Sequence, residues 1–135
     1  MIPASGSISC SPDEKLAAML KPGDEVDSFS CGGLIKMKVM ATSNASCSSW
    51  ITLHTQDGPT KLCYNSMVLV PLDGKLIERK AEDVTVGTKL MRLSEGMVLI
   101  SKVCAVSREF MSPEPAVSIK AKMRRMFIGG ILCKV

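Results

Sequence analysis

One histidine and six cysteines are the side chains of this sequence best suited to chemistry. His54 is the only histidine, and imidazole is the side chain whose ordinary pKa suits proton transfer near neutral pH. A lone histidine before a turn is nevertheless usually a surface or hydrogen-bonded residue. The cysteines stand at positions 10, 31, 47, 63, 104 and 133, without the close pairs of a zinc site. We therefore expect most of them to be buried thiols, and we expect no metal or cofactor site.

The composition limits the architecture. A chain of 135 residues with 46% hydrophobic content is enough for one sizeable core and hardly enough for two, so we expect a single domain over residues 1–135. Its apolar runs are far shorter than the roughly 18 residues needed to cross a bilayer, so no membrane span is expected. The N-terminus lacks the basic start and apolar stretch of a secretory signal. The sequence leaves the compartment and the oligomeric state open.

The charge distribution limits the partners. Most of the net charge of +4 comes from residues 119–126, where basic residues roughly alternate with small or apolar ones. This alternation predicts a strand with one solvated face. Aromatic residues make up only 4% of the chain, which leaves little for unpaired bases to stack on. We therefore expect no nucleic-acid partner.

An internal repeat at an offset of 64 residues (87 − 23 = 64) organises the chain. The three aligned pairs each match apolar residues with apolar residues, and they are 20–26 with 84–90, 35–40 with 99–104, and 61–69 with 125–133. Glycine lies in the middle of the first pair, and the second pair shares an identical Lys-Val. The repeat predicts two related halves, roughly 7–70 and 71–135, that wrap around a common core.

Short apolar runs separated by turn residues predict an all-β fold, with at most one or two short helical turns. The one helical candidate runs from Pro12 to Leu20, with Ser11 as its N-cap. Asp57-Gly58 predicts a hairpin turn after residues 50–55, because glycine adopts positive φ at little cost. Further turns are expected at Asp73-Gly74, at 94–96 and at 112–115.

Four stretches across nearly the whole chain carry a family resemblance. They are Ile2-Pro3-Ala4, Leu20-Lys21-Pro22-Gly23-Asp24-Glu25-Val26, Leu53-His54-Thr55 with its Asp57-Gly58 turn, and Phe127-Ile128-Gly129-Gly130-Ile131-Leu132-Cys133. Together they resemble the Hint domains that are shared by hedgehog C-terminal regions and inteins. The resemblance implies a pseudo-two-fold, duplicated β fold, and it is closer to a hedgehog-type or degenerate Hint domain than to a splicing intein.

The resemblance also implies self-processing. In such domains a Cys or Ser at the first position attacks the preceding carbonyl and converts the amide at the junction into a thioester or ester. An external thiol or another small nucleophile then releases the upstream polypeptide, which is the partner in cis. A Thr-x-x-His motif commonly assists. Inteins end in His-Asn, whereas hedgehog-type domains use a cysteine near the end.

This sequence departs from that pattern at the residues that matter for the chemistry. Met1 stands at the nucleophile position, and its thioether has no proton to lose. Ser66 stands where the motif has histidine, and a hydroxyl can donate a hydrogen bond but is no general acid near neutral pH. Cys133 matches the hedgehog-type cysteine loosely, and the chain ends Cys133-Lys134-Val135 without His-Asn, which disfavours splicing.

The cysteines at this candidate site also have structural interpretations. In the repeat, Cys63 aligns with Phe127 and Cys133 aligns with Leu69. Both counterparts are apolar, so each cysteine can be a small core residue. We favour that interpretation for Cys63 and leave both open for Cys133. The candidate catalytic set is therefore Met1 as the nucleophile position, with His54, Cys63, Ser66 and Cys133.

Three hypotheses remain open at the level of sequence. The chain is a self-processing Hint domain that is inactive as given, because Met1 lacks a nucleophile. Alternatively, it is a degenerate Hint fold kept as a structural or protein-binding module, or it is an unrelated two-lobed β domain. Conventional multiple-turnover enzymes rank below all three, because phosphate-binding loops, paired catalytic carboxylates and zinc spacings are absent from the sequence.

Overall fold

Strands account for nearly all of the regular structure. The structure is a computed structural model that describes residues 1–11 and 13–135. Within these residues the strands are β1 (Ile2–Pro3), β2 (Ser7–Cys10), β3 (Asp13–Leu16), β4 (Glu25–Ser30), β5 (Gly33–Thr55), β6 (Gly58–Cys63), β7 (Met67–Leu72), β8 (Lys75–Lys80), β9 (Lys89–Ser94), β10 (Met97–Ala121), β11 (Arg125–Ile128) and β12 (Ile131–Lys134). Single 3₁₀ turns at Ala17–Met19 and Ala81–Asp83 are the only helical elements described. The expectation of an all-β fold is confirmed.

Two long strands organise the sheet. β5 and β10 pair antiparallel along most of their lengths, with three register shifts. The main order is β3-β2-β11-β12-β9-β10-β5-β4, while β1 pairs with β10, β6 with β5, and the β7–β8 hairpin with β12. Each long strand changes partners along its length, and the apolar side chains that the sheet buries form one large cluster and two small ones. The largest fully buried side chains include Met126 in the large cluster and Trp50 and Phe127 in the small ones.

The offset of 64 residues recurs around the two glycine turns. Gly23 and Gly87 have φ of +94° and +93°, a backbone region that favours glycine. The Gly23 amide donates to the Val39 carbonyl at 2.7 Å, and the Gly87 amide donates to the Val103 carbonyl at 2.8 Å. The strands that follow also correspond at this offset, since β4 and β9 begin at Glu25 and Lys89. The first two aligned pairs of the sequence repeat therefore have matching structures.

The third aligned pair does not have matching structures. β7 forms a hairpin with β8 and pairs with β12, and its structural counterpart is β2, which forms a hairpin with β3 and pairs with β11. The offset there is 60 rather than 64 residues (68 − 8 = 60), because β7–β8 is the longer hairpin. The segment 125–133 is instead a central hairpin on which both outer hairpins pack. The proposed boundary between the halves falls inside β7 and stays a prediction.

Three local predictions differ from the structure. Residues 13–16 of the candidate helix form β3, because they pair with β2 from Ser7 to Cys10; Pro12, which the helix prediction placed at its first position, lies outside the described residues. The turn expected at 112–115 lies within β10, at a register shift between Phe110 and Glu114. Residues 119–126 divide between β10 and β11 rather than forming one strand.

The turns at Asp57-Gly58, Asp73-Gly74 and 94–96 are confirmed. Each connects adjacent antiparallel strands, and Asp73, Gly74, Glu95 and Gly96 all have positive φ. None of the helices in the part of the chain described here is long and apolar enough to cross a membrane.

Candidate functional site

A cavity of about 270 Å³ lies beside the first residue of the chain. We call it the N-terminal pocket. It brings together three of the predicted site residues, Met1, Ser66 and Cys133. Most of its other lining is apolar and includes Ile2, Val117, Ile119 and Ile128. The polar exceptions are Asn65, Ser118 and Lys134.

Strand pairing places Met1 in this pocket. Ile2 and Pro3 of β1 pair with Val117 and Ala116 of β10, and Ile2 is almost fully buried. An apolar residue followed by proline suits this short edge strand, because proline has no N–H to donate. The strand thereby fixes the backbone of residue 1 at the rim of the cavity.

A tight turn places Ser66. The Ser66 amide donates to the Cys63 carbonyl at 2.9 Å, and the Ser66 carbonyl accepts from the Ala81 amide at 2.7 Å. With its backbone held on both sides, the buried Ser66 hydroxyl donates to the Met1 carbonyl at 2.7 Å. This distance is that of a well-formed hydrogen bond.

Cys133 closes the pocket from β12. It pairs with Met126 of β11 and with Val68 of β7, and its side chain is buried. Burial raises the pKa of the Cys133 thiol to about 12, although the nearby Met1 amino group opposes the shift. Burial also lowers the pKa of the Met1 amino group, and Cys133 in turn opposes that shift. The two groups are therefore close enough to affect each other's ionisation, and Cys133 is a neutral thiol near pH 7.

This arrangement can orient a backbone and donate a hydrogen bond, but it holds no activated nucleophile. Met1 has a thioether, Cys133 keeps its proton at neutral pH, and Ser66 has no base within the described hydrogen bonds. A thiolate or a base-assisted hydroxyl is what acyl transfer requires. The pocket is thus organised around the backbone of residue 1 rather than around its side chain.

Cys63 lies outside the pocket and forms a disulfide with Cys47. The expectation that most cysteines are buried thiols is wrong. Cys31 and Cys104 are exposed, Cys10 is half-buried, and Cys133 is the one buried thiol among the free cysteines described. Residues 47 and 63 are 16 apart in sequence, and they meet because β5 and β6 form a hairpin. The core position predicted for Cys63 is correct, because its side chain is fully buried.

His54 also lies outside the pocket. Its Nε2 is 2.9 Å from the Ser107 hydroxyl across the β5–β10 pair, and its carbonyl accepts from the Cys104 thiol. The structure therefore gives it the hydrogen-bonded surface role that is usual for a lone strand histidine. Among the described residues, no group of three His, Cys, Asp or Glu side chains could hold a metal ion.

Sequence reasoning missed three polar residues of the pocket. Asn65 precedes Ser66 in the same turn, Lys134 follows Cys133 and pairs with Glu78 at 2.8 Å, and Ser118 comes from β10. The first two are adjacent to residues that the sequence did single out. Their proximity to Met1 depends on strand pairing, which no local pattern revealed.

Comparison with known proteins identifies the fold. No family model matches the chain, and no curated protein matches it. Among solved structures, a bacterial intein-like domain from Clostridium thermocellum has a TM-score of 0.82 at 18% identity, over 99% of this chain and 97% of that chain. The TvoVMA intein gives 0.84 at 10% identity over 98% and 95%. The transcription factor IIB Mvu mini-intein gives 0.83 at 12% identity over all of both chains.

This chain therefore has the intein fold along its whole length. The expectation of a Hint-like β fold is confirmed, and this fold does not support the third hypothesis, an unrelated β domain. The closer likeness to hedgehog-type domains stays a prediction, since the structures compared here are inteins or intein-like domains.

Proposed function

We propose that this domain is a self-processing domain of the hedgehog/intein type, whose site acts on the peptide bond before residue 1. The observation that carries the proposal is the hydrogen bond from Ser66 to the Met1 carbonyl at 2.7 Å. It fixes the backbone of the residue whose nitrogen would be the leaving group. The intein fold, shared over the whole chain, supports the same assignment.

The reaction is an acyl shift followed by transfer. A thiol or hydroxyl on residue 1 attacks the carbonyl carbon of the preceding residue and loses its proton. The resulting tetrahedral intermediate collapses, the C–N bond breaks, and the nitrogen of residue 1 takes up a proton as an amine. A second, external nucleophile such as a thiol then takes the acyl group and frees the upstream polypeptide.

The pocket contributes orientation and a favourable leaving group. Ser66 holds the Met1 carbonyl, and the strand pairing of Ile2 restricts the remaining backbone freedom, which is the entropic part of such catalysis. Burial lowers the pKa of the amino group of residue 1. A less basic amine leaves a tetrahedral intermediate more readily. Cys133 remains protonated and is not a substitute nucleophile.

With methionine at position 1, the site cannot start this reaction. A second function, a degenerate fold kept as a structural or protein-binding module, is favoured by that thioether and by Ser66 at the histidine position of the motif. The two functions differ in whether the pocket still accelerates acyl transfer once a nucleophile is supplied.

A fusion of a short upstream protein to residues 1–135 tests the choice. We expect Met1→Cys to convert the fusion into two fragments, cut before residue 1, when hydroxylamine is added. Fusions with the native Met1 or with Met1→Ala provide the matched controls, and both should keep their intact mass. The measurement is the mass of the products over time.

Intact Met1→Cys fusion under these conditions would overturn the self-processing proposal and favour the degenerate module. Cleavage that continues equally when the domain is unfolded in denaturant would also count against it, because the pocket would then play no part.

A further inference from the structure

We propose that the disulfide between Cys47 and Cys63 positions Ser66 on the Met1 carbonyl, so that the N-terminal pocket is complete only in the oxidised protein. This makes the two cysteines positioning residues for the site rather than only core residues. The role in cleavage rests on the self-processing function proposed above, whereas the effect on the Ser66 contact can be measured without it.

The disulfide lies in the small hydrophobic cluster formed by Cys47, Trp50, Cys63 and Ala116, with Ala45 packed against it. Cys63 is the last residue of β6 and pairs with Trp50 of β5. Trp50 and Cys63 are fully buried. The covalent link therefore anchors the end of β6 to β5 at the point where regular pairing stops.

Only two residues separate that anchor from Ser66. The Ser66 amide donates to the Cys63 carbonyl at 2.9 Å, which closes the turn on the anchored residue itself. The intervening Tyr64 amide donates to the Ser49 carbonyl at 3.0 Å. The position of Ser66 therefore follows that of the end of β6, which the Cys47–Cys63 disulfide links covalently to β5.

The same cluster supports the other side of the contact. Ala116 belongs to the cluster and is the strand partner of Pro3 in β1, two residues from Met1. The Ser66 hydroxyl and the Met1 carbonyl are thus both close in sequence to residues that contact this cluster or pair with it. A change in the packing of the cluster would shift both groups and so change the distance between them.

A structurally equivalent turn in the other half shows a different solution. There Gly6 donates to the Pro3 carbonyl at 2.8 Å, and Ala17 donates to the Gly6 carbonyl at 2.8 Å. Proline occupies the place of Cys63, and its ring fixes φ without a cross-link. The turn that carries Ser66 has no proline, so the disulfide supplies its constraint.

Reduction is a two-electron exchange with a dithiol. One thiolate of the dithiol attacks a sulfur of the disulfide, the S–S bond breaks, and one protein thiolate leaves. The second thiolate of the dithiol then attacks the mixed disulfide and displaces the other protein thiolate. The protein gains two protons as the Cys47 and Cys63 thiols, and the dithiol becomes a cyclic disulfide. A phosphine with one water molecule gives the same two thiols and becomes the phosphine oxide. We expect the Ser66–Met1 hydrogen bond to weaken once the end of β6 is freed.

The first test reads the hydrogen bond directly. Met-Ile occurs once in the chain, at Met1-Ile2, so carbonyl-¹³C methionine with ¹⁵N isoleucine gives a single correlated NMR signal for the Met1 carbonyl. In oxidised protein we expect this signal to move upfield on Ser66→Ala. Reduction by a phosphine should move it the same way in the native chain and leave it unchanged in Ser66→Ala.

A signal that does not respond to reduction would overturn the proposal. An equal movement in the native chain and in Ser66→Ala would overturn it as well, because the disulfide would then act on the pocket without acting through Ser66. Neither reading requires the domain to cleave anything.

The second test uses the Met1→Cys fusion with hydroxylamine as the nucleophile and a phosphine as the reductant, since a dithiol would itself act as a nucleophile. Reduction, or the Cys47→Ala/Cys63→Ala pair, should slow cleavage about tenfold, the worth of one well-placed hydrogen bond. In Ser66→Ala, reduction should slow cleavage little further, because two changes that act through the same hydrogen bond are not additive. Cys31→Ala, at an exposed free thiol, is the control and should leave the rate unchanged.

Additive losses from Ser66→Ala and from reduction would contradict the positioning role. If the oxidised Met1→Cys fusion does not cleave at all, the self-processing function fails, and the NMR measurement still decides whether the disulfide positions Ser66.

Discussion

The N-terminal pocket and a second pocket are built from equivalent backbone. The second pocket has a volume of about 230 Å³, and its lining includes Gly6, Lys61 and Ile128, the last of which also lines the N-terminal pocket. Strand β1 in one half is equivalent to β6 in the other, because Ile2 pairs with Val117 of β10 and Leu62 pairs with Ile51 of β5. The residues that precede Ile2 and Leu62, Met1 and Lys61, therefore correspond. In the same alignment, which has an offset of 60 residues, Ser66 corresponds to Gly6.

The two pockets differ in the side chains that could assist a reaction. By strand register Cys133 corresponds to Ile128, because Cys133 pairs with Val68 and Ile128 pairs with Ile8. Ile128 lines both pockets, so of the two only the N-terminal pocket has a thiol in its lining. The hydroxyl of Ser66 has no counterpart at Gly6. Lys61 instead pairs with Glu114 at 2.9 Å and lies over the Trp50 ring. One backbone arrangement therefore supports a candidate site in one half and a surface ion pair in the other.

The largest expected effect concerns Cys133, the thiol that only the N-terminal pocket has. Its pKa is raised from 9.0 to about 12, so the unfolded chain releases this proton first and the folded state loses stability as the pH rises from 9 toward 12. A shift of that size is worth about 4 kcal/mol at the upper limit. Cys133→Val, which copies the apolar character of Ile128, should remove this loss.

Denaturant unfolding at several pH values between 7 and 12 measures the effect. The difference in unfolding free energy between the native chain and Cys133→Val reports the thiol together with its effect on the neighbouring Met1 amino group, because the remaining titrating groups are shared. Cys31→Ser, at an exposed thiol, serves as the control and should follow the native curve. Parallel curves for the native chain and Cys133→Val across this range would contradict the assigned burial.

The next effect concerns Asp27, a buried residue of the first half. At the offset of 64 residues, the corresponding residue of the second half is Met91 (91 − 64 = 27). Lys36 lies 2.7 Å from Oδ1 of Asp27, and the Ser11 amide and hydroxyl donate to its Oδ2. Burial alone raises the pKa of Asp27, but these hydrogen bonds outweigh it and hold the pKa below 3.8. Its contribution is therefore complete above pH 3.8 and is lost as the pH falls through the lower, folded-state value.

Asp27→Asn should lower the unfolding free energy at pH 7 by about 2 kcal/mol, because it weakens hydrogen bonds to a charged group. The acid limb of the stability curve should also become flatter. Asp13→Asn removes an exposed carboxylate of the same charge and should change little. Equal effects of the two substitutions would mean that the buried ion pair contributes nothing specific.

The features that the two halves share are those that the sequence predicted best. Gly23 and Gly87 mark the same turn, and apolar alternation marks the strands that follow, because these signals depend on φ and burial at single positions. The third aligned pair failed for a physical reason. The two aligned segments, 61–69 and 125–133, both contain buried apolar residues, but their strands pair with different neighbours. An apolar pattern predicts that a strand is buried and does not specify which strand it pairs with.

The candidate site was predictable only in part. Met1, Ser66 and Cys133 were found through a family resemblance, and the structure brings them together. The disulfide and the contributions of Asn65 and Lys134 depend on which strands are adjacent. That information lies in long-range pairing, such as Cys133 with Val68, and local sequence patterns do not contain it.

The smallest expected effect separates the two turns themselves. A Cβ on Gly6 would lie 2.9 Å from the Pro3 carbonyl oxygen, a backbone atom that cannot move away cheaply. Ser66 carries a Cβ at the equivalent place, so the turn anchored by the disulfide must be slightly more open than the turn anchored by proline.

Gly6→Ala should lower the unfolding free energy by about 1–2 kcal/mol through this overpacking. Ser66→Ala, the matched change, loses only a hydroxyl and should cost about 1 kcal/mol. Equal tolerance of alanine at both positions in denaturant unfolding would show that the two turns have the same geometry, and the disulfide would then not be needed to explain a difference between them.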